Sequence, residues 1–244
     1  MTQTILGLIT ARGGSKRLPM KNIKDFLGKP LLVWSIEAGK EAGVFERFIL
    51  STDDEEIASV GRASGIEVPF MRPSELAMDT STSFDVVKHA VTWMEEHEGY
   101  KPDWIVLLEP TAPGRQAFHI KEVAELLKNT TADSIVGVTK TPGHFSPFKA
   151  LERDEQGFVA RVGDHVLLKD LVHRNQDLPS SYHINSALYA FRRDNLFQGE
   201  GSLWGASTFG YLMDERYSFD IDTPDEWIVA EAKMKRLLEN EIRP

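Results

Sequence analysis

Not one of the 244 residues is a cysteine, so a disulfide framework, a thiolate zinc site and a cysteine nucleophile are all excluded. Long apolar runs are missing too. None reaches the roughly 20 residues that span a bilayer, and residues 4–9 (TILGLI) are too short for a secretory apolar region. A soluble cytoplasmic protein with no membrane partner is therefore the expectation. Positive charge is in deficit, with 28 Lys and Arg against 37 Asp and Glu for a formal net charge of −9. Phosphate-backbone binding depends on clustered cations, so this balance argues against a nucleic-acid partner. An anionic ligand would have to be met by a local basic site. The seven histidines show no H-x-x-x-H or comparable metal spacing.

The length suits one large α/β domain carrying an insertion. Residues 4–9 form an apolar run ending in a Gly-containing basic loop, as a buried parallel strand does. Pro30 opens an apolar stripe over 31–42 with helical spacing, which Gly43 stops. The alternation continues with strands expected at 47–51, 67–71, 104–108 and 134–138, and helices at 53–64, 83–97 and 118–128. From 140 to 183 the rhythm breaks into short pieces at 149–153, 158–162 and 165–168, separated by Gly157 and Gly163. Strands at 187–191 and 209–213 and an amphipathic helix from Pro224 through Glu239 resume the pattern. The fold class expected is α/β: a Rossmann-like, mostly parallel sheet with helices on both faces, formed by 1–139 and 184–244, plus a β-rich excursion at 140–183.

The strongest chemical signal is the loop ARGGSKRLPMKN, residues 11–22, directly after the first strand. Ligands of open α/β sheets bind beyond the carboxyl ends of the strands, where this loop lies. Two glycines would permit positive φ and a close backbone approach, while Arg12, Lys16, Arg17 and Lys21 provide cations for phosphate oxygens. A bland alternative is a surface turn that merely solvates its charges. The loop has neither the spacing G-x-x-x-x-G-K-[ST] nor G-x-G-x-x-G, so ATPase and hydride-transfer chemistry lose their main support. Asp220 and Asp222 alternate along an extended segment, so both carboxylates can face one ion. An isolated D-x-D often caps the helix that follows, and Pro224 at the helix start makes Asp222 or Thr223 a candidate cap.

The loop resembles the first signature of the acylneuraminate cytidylyltransferases, A-R-x-x-S-K-x-x-P-x-K-N. The likeness continues, in the family's order, through RPSELA at 72–77 with Asp79 to Asp85, LLEPTAP at 107–113 and FDIDTP at 219–224. It implies an enzyme that joins CMP from CTP to an acidic sugar with Mg²⁺ as cofactor, working as a homodimer in which 140–183 reaches the partner's sugar pocket. It also implies nucleotide binding by Ala11, Arg12, Gly13, Lys16, Lys21, Asn22, Arg72 and Ser83. Asn22 and Arg72 would help read the cytosine, Arg12, Lys21 and Asp222 would serve catalysis, and Asp220 and Asp222 would hold the metal. Sugar contacts would come from Glu109, Arg174, Asn175, Tyr182, His183 and Asn185.

The sugar-facing elements depart from the family pattern. Glu109 stands where Gln is usual in L-L-Q-P-T-S-P, which places a carboxylate near an acidic sugar. In segments 173–179 and 182–189, Asn175 falls where the family carries Arg, with Arg174 one place earlier, and Ser186 replaces Gly. His183 occupies a position where sialate enzymes can have Arg. Two other readings stay open: a Kdo-type CMP-sugar synthetase, which Arg17-Leu18-Pro19 also resembles, and a noncatalytic nucleotide-sugar binding protein of the same fold.

Overall fold

The computed structural model describes residues 3–171 and 174–241. In chain order the strands are β1 (Ile5–Thr10), β2 (Asp25–Phe26), β3 (Lys29–Pro30), β4 (Arg47–Ser51), β5 (Trp104–Leu107), β6 (Ser134–Lys140), β7 (Leu151–Arg153), β8 (Val159–Arg161), β9 (Tyr182–Arg192) and β10 (Thr208–Leu212). The helices are α1 (Leu31–Ala42), α2 (Glu55–Ala63), α3 (Ser83–Glu98), α4 (Ala117–Asn129) and α5 (Pro224–Glu241).

Six strands form one sheet in the order β10-β6-β9-β5-β1-β4. β1 runs parallel to β4 and β5, β6 runs parallel to β10, and β9 lies antiparallel between β5 and β6. The continuous apolar run of β1 is explained by its place inside the sheet, where Leu6 and Leu8 pack to one side and Ile5 and Ile9 to the other. α1, α2 and α4 cover one face through Leu32, Ile36, Ile57, Ile120 and Val123. α3 covers the opposite face with Val87, Ala90, Val91 and Met94. Truncating a fully buried side chain such as Met94 to Ala is worth about 2–5 kcal/mol.

Local signals account for the boundaries. Asp54 caps α2, its carboxylate accepting from Ile57 N at 3.0 Å, and Gly43 ends α1 at φ 64°. Thr82 and Asp85 close a capping box on α3. The strand expected at 67–71 is reduced to a bridge between Glu67 and Ile49, because Pro69 removes a donor and only Glu67 bonds the edge of β4, to Phe48 and Leu50.

α5 packs away from the main sheet. Its Trp227, Ala230, Met234 and Leu237 join Leu18, Phe26, Leu31 and Ile221 in a third apolar cluster. This cluster seats the 219–222 segment against the loop that follows β1.

The excursion leaves from β6 and returns on β9, whose pairing reaches Lys140 and Tyr182. β9 therefore starts earlier than the expected 187, and the excursion proper runs over 141–181. Within it the pieces expected at 149–153 and 158–162 pair as the antiparallel strands β7 and β8, while the piece at 165–168 contributes a single bridge from Leu167 to Ala160. Among the described residues, no helix is long and apolar enough to cross a membrane.

Candidate functional site

A cleft of ≈ 430 Å³ opens beyond the ends of β1 and β5. Its walls are the 12–22 loop, Arg72, the 76–83 approach to α3, the 109–111 turn, Ser186 and Tyr189 of β9, and Asp220 and Asp222.

The basic loop is held from behind. Asp53 accepts from Gly13 N at 3.2 Å and from Arg72 Nη2 at 3.1 Å, and Arg72 also donates to Ala11 O at 3.4 Å. Asn22 Nδ2 donates to Arg12 O at 3.0 Å. Positive φ is not the reason for the glycines: neither Gly13 nor Gly14 adopts it, and Met20 (φ 53°) does. Gly13 is required for space instead, because a Cβ there would lie 2.6 Å from Asp54 Oδ2. Gly14 faces open space.

The cations engage two carboxylates. Lys21 Nζ donates to Ile221 O at 2.7 Å and Asp222 Oδ1 at 2.9 Å, and Arg17 stands 3.8 Å from Asp222 Oδ2. The hydrogen bond from Lys21 holds the Asp222 carboxyl below the usual carboxylate range. Across the cleft, Arg12 pairs with Asp79 at 3.1 Å and donates to Met78 O, and Lys16 pairs with the same Asp79. Ser81, Thr82 and Ser83 present the N-terminus of α3 to the cavity, which adds a partial positive charge.

Glu109 sits half-buried at the cleft floor. Burial, followed by the nearby Asp220, pushes its carboxyl up to about 7 against the pull of Arg115 and Lys21. Beneath it lies Arg115, 2 % exposed, donating to Glu109 O at 3.1 Å and also bonded to Ala187 O and Ser35 Oγ. This buried cation ties the turn after β5 to β9. Gly137 of β6 leaves room for Asn185 of β9, whose Oδ1 would be 2.6 Å from a Cβ at position 137. Asn185 then accepts from Ala187 N and donates to Thr139 Oγ1, each at 3.1 Å, beside the register shift between Val136 and Val138. Ser186 follows at φ 58°, beside Tyr189. Left-handed backbone disfavours a residue with a Cβ, and the usual Gly would relieve it.

Of the nucleotide-facing residues named from sequence, Arg12, Lys16, Lys21, Asn22, Arg72 and Ser83 line the cleft, as do Asp220 and Asp222. Ala11 and Gly13 frame it from behind through their backbone bonds. Of the sugar-facing set only Glu109 lines the cavity. Asn185 is instead a buried strut of the β9 irregularity, its amide satisfied internally. Arg174 is paired with Asp177, Asn175 accepts from Lys149, Tyr182 is exposed, and His183 contacts Thr141; none of the four lines the cleft of its own chain. His173 lies outside the described residues. Sequence reasoning passed over Arg115 and gave Asp79 no role. Asp79 stands among the residues of a recognisable segment, but Arg115 carries no signal beyond a lone cation next to a turn.

The sequence profile described as Cytidylyltransferase matches residues 6–243. An N-acylneuraminate cytidylyltransferase from Streptococcus agalactiae is 34 % identical over 223 residues, covering 91 % of this chain and 51 % of that protein, so the chain spans about half that relative's length. A CMP-N,N'-diacetyllegionaminic acid synthase from Legionella pneumophila is 32 % identical, with 95 % of this chain and 96 % of that protein covered. The fold is that of a solved CMP:2-keto-3-deoxy-manno-octonic acid synthetase complexed with CTP, at a TM-score of 0.67 and 17 % identity over 96 % of this chain and 99 % of the other. A basic loop closing on a carboxylate pair, in a chain matched from its first strand to its last helix, identifies a member of the cytidylyltransferase family.

Proposed function

We propose that this chain joins CMP from CTP to the anomeric hydroxyl of an acidic nine-carbon sugar or a close relative of one, releasing pyrophosphate. The observation that carries the reading is the Lys21–Asp222 contact, which sets four loop cations and two carboxylates around one cavity. The names of the two relatives, which concern N-acylneuraminate and diacetyllegionaminic acid, support the substrate class.

On this reading Arg12, Lys16 and Lys21 bind the phosphates, and Arg12 and Lys21 stabilise the charge that builds on departing pyrophosphate. Ser83 and the start of α3 lie against the nucleotide. Asn22 and Arg72 read the cytosine: both are buried, and the Asn22 carbonyl oxygen accepts no hydrogen bond among the described residues. Positioning by these rigid groups and direct displacement at the α-phosphorus require no covalent enzyme intermediate.

The carboxylates also fit a magnesium ion. Asp220 and Asp222 line the same cavity, and two carboxylates with substrate phosphates are the usual shell of this hard cation. No group of three His, Asp or Glu with metal-holding geometry occurs among the described residues, so the substrate would complete the shell. The ion would supply charge neutralisation on the phosphates.

The excursion is assigned to homodimerisation. Phe145, Phe158, Val162, Leu167 and Leu168 are exposed on it, and a second copy would cover them. Arg174, Asn175, Tyr182 and His183 would then face the partner's sugar pocket. A monomer by light scattering at working concentration overturns this assignment. A cytoplasmic location accompanies the reading, since nucleoside triphosphates are made there.

The deciding experiment is pyrophosphate release with CTP, ATP, GTP and UTP against a panel of nine-carbon acid sugars and one eight-carbon acid. Turnover with CTP and a nine-carbon acid is expected. Preference for the eight-carbon acid moves the chain to the Kdo-type reading, and no release with any pair marks a noncatalytic binder.

A further inference from the structure

Four carboxylates line the cleft, and Glu109 alone among them receives no hydrogen bond. Asp79 is held by Arg12 and Lys16, Asp222 by Lys21, and Asp220 accepts from Ile221 N at 3.0 Å. No donor reaches the Glu109 side chain among the described residues, although its main-chain oxygen is anchored by Ser35 Oγ at 3.3 Å and Arg115 Nη1 at 3.1 Å. An acceptor held on a rigid floor and left open toward the cavity calls for a donor from the substrate.

The transfer supplies one. As the sugar hydroxyl oxygen bonds to the α-phosphorus, its proton must go to an acceptor, and Glu109 is the carboxylate of the cavity that receives no donor among the described residues.

We propose that Glu109 is the general base of this transfer, an assignment that rests on the cytidylyl-transfer reading above. Its carboxylate takes the hydroxyl proton while the new O–P bond forms. The bond from the α-phosphorus to the bridging oxygen breaks, and pyrophosphate leaves with that electron pair. The proton then passes from Glu109 to solvent.

The groups acting on Glu109 come from every wall. Asp220 and Asp222 repel its charge, Arg115 and Lys21 attract it, and Arg72 and Tyr189 also feel it electrostatically. Burial outweighs these opposing charges and raises the carboxyl, so an unpaired acceptor open to the cavity keeps the basicity needed to take a proton.

The test compares the chain with its Glu109→Gln and Glu109→Asp variants, all with Mg²⁺, CTP and the accepted sugar. For the parent chain, kcat should climb with pH along a single limb and level off. Glu109→Gln should lower kcat by about 100-fold or more and abolish that limb, while calorimetric CTP affinity stays within threefold. Glu109→Asp should retain the limb at reduced kcat. A Glu109→Gln enzyme that keeps the limb overturns the base assignment and leaves the transfer reading intact. A parent chain that releases no pyrophosphate overturns the transfer reading, and the base assignment with it.

Discussion

Lys21 Nζ lies 2.9 Å from Asp222 Oδ1, joining residues 201 positions apart, and the same ammonium bonds Ile221 O at 2.7 Å. Lys21 is nearly buried while Asp222 is half-exposed, so the pair points a carboxylate into the cleft from a fixed cation. The join depends on apolar packing behind it, where Leu18 of the loop and Ile221 share a cluster with α5.

Asp222→Asn should remove most turnover with little effect on stability. A partly exposed ion pair contributes about 1 kcal/mol or less, whereas the lost charge sits where phosphates and metal would meet. Pyrophosphate release and a thermal melt on one preparation check both halves; undiminished turnover in saturating Mg²⁺ counts against the metal role.

Asp79 occupies two of the cations assigned to phosphate, so CTP must displace it from Arg12 and Lys16. Asp79→Asn should therefore lower the KM for CTP several-fold at low ionic strength, with kcat unchanged and the difference shrinking in salt. A raised KM would show instead that Asp79 preorganises the two cations.

Ser186 holds φ 58° at the cleft edge. Ser186→Gly removes roughly 1 kcal/mol of backbone strain, and the thermal midpoint should rise. Part of the gain is offset because glycine also loosens the unfolded chain. A lowered midpoint would mean that the Ser186 side chain contributes more than the strain costs.

Buried His119 and half-buried Glu109 bend the pH dependence of stability in opposite directions. Burial, then the charge of Arg115, pushes His119 down to about 4, so the unfolded chain binds the extra proton between 4 and 6.5 and stability is lost as pH falls through that window. Glu109 is pushed up to about 7, so its contribution is full below 4.5 and is lost as pH rises toward 7. Each is worth up to about 3 kcal/mol, and they largely cancel. Glu109→Gln should uncover the His119 slope, seen as a urea midpoint that rises steadily from pH 4.5 to 6.5; a flat midpoint in that variant rejects the balance.

Much of the fold was legible because it is written in local pattern. The apolar run of β1, the stripe of α1 between Pro30 and Gly43, and the acidic start of α2 each report one element's own burial or caps. The 67–71 segment failed that reading because its apolar residues pack under the edge of β4 without completing a ladder. Gly13 and Gly14 misled in another way: glycine signals either a torsion or a missing Cβ, and composition cannot say which.

By itself the sequence determined the order and type of the elements, the basic loop after the first strand and the D-x-D before the last helix, since these depend on neighbours within a few residues. Only the tertiary structure decided that the two meet through Lys21 and Asp222, that Asp79 closes on Arg12, that Asn185 turns inward as a strut, and that Glu109 stands over a buried Arg115. Those outcomes depend on side chains from distant strands competing for the same space and charge, which no stretch of sequence encodes alone.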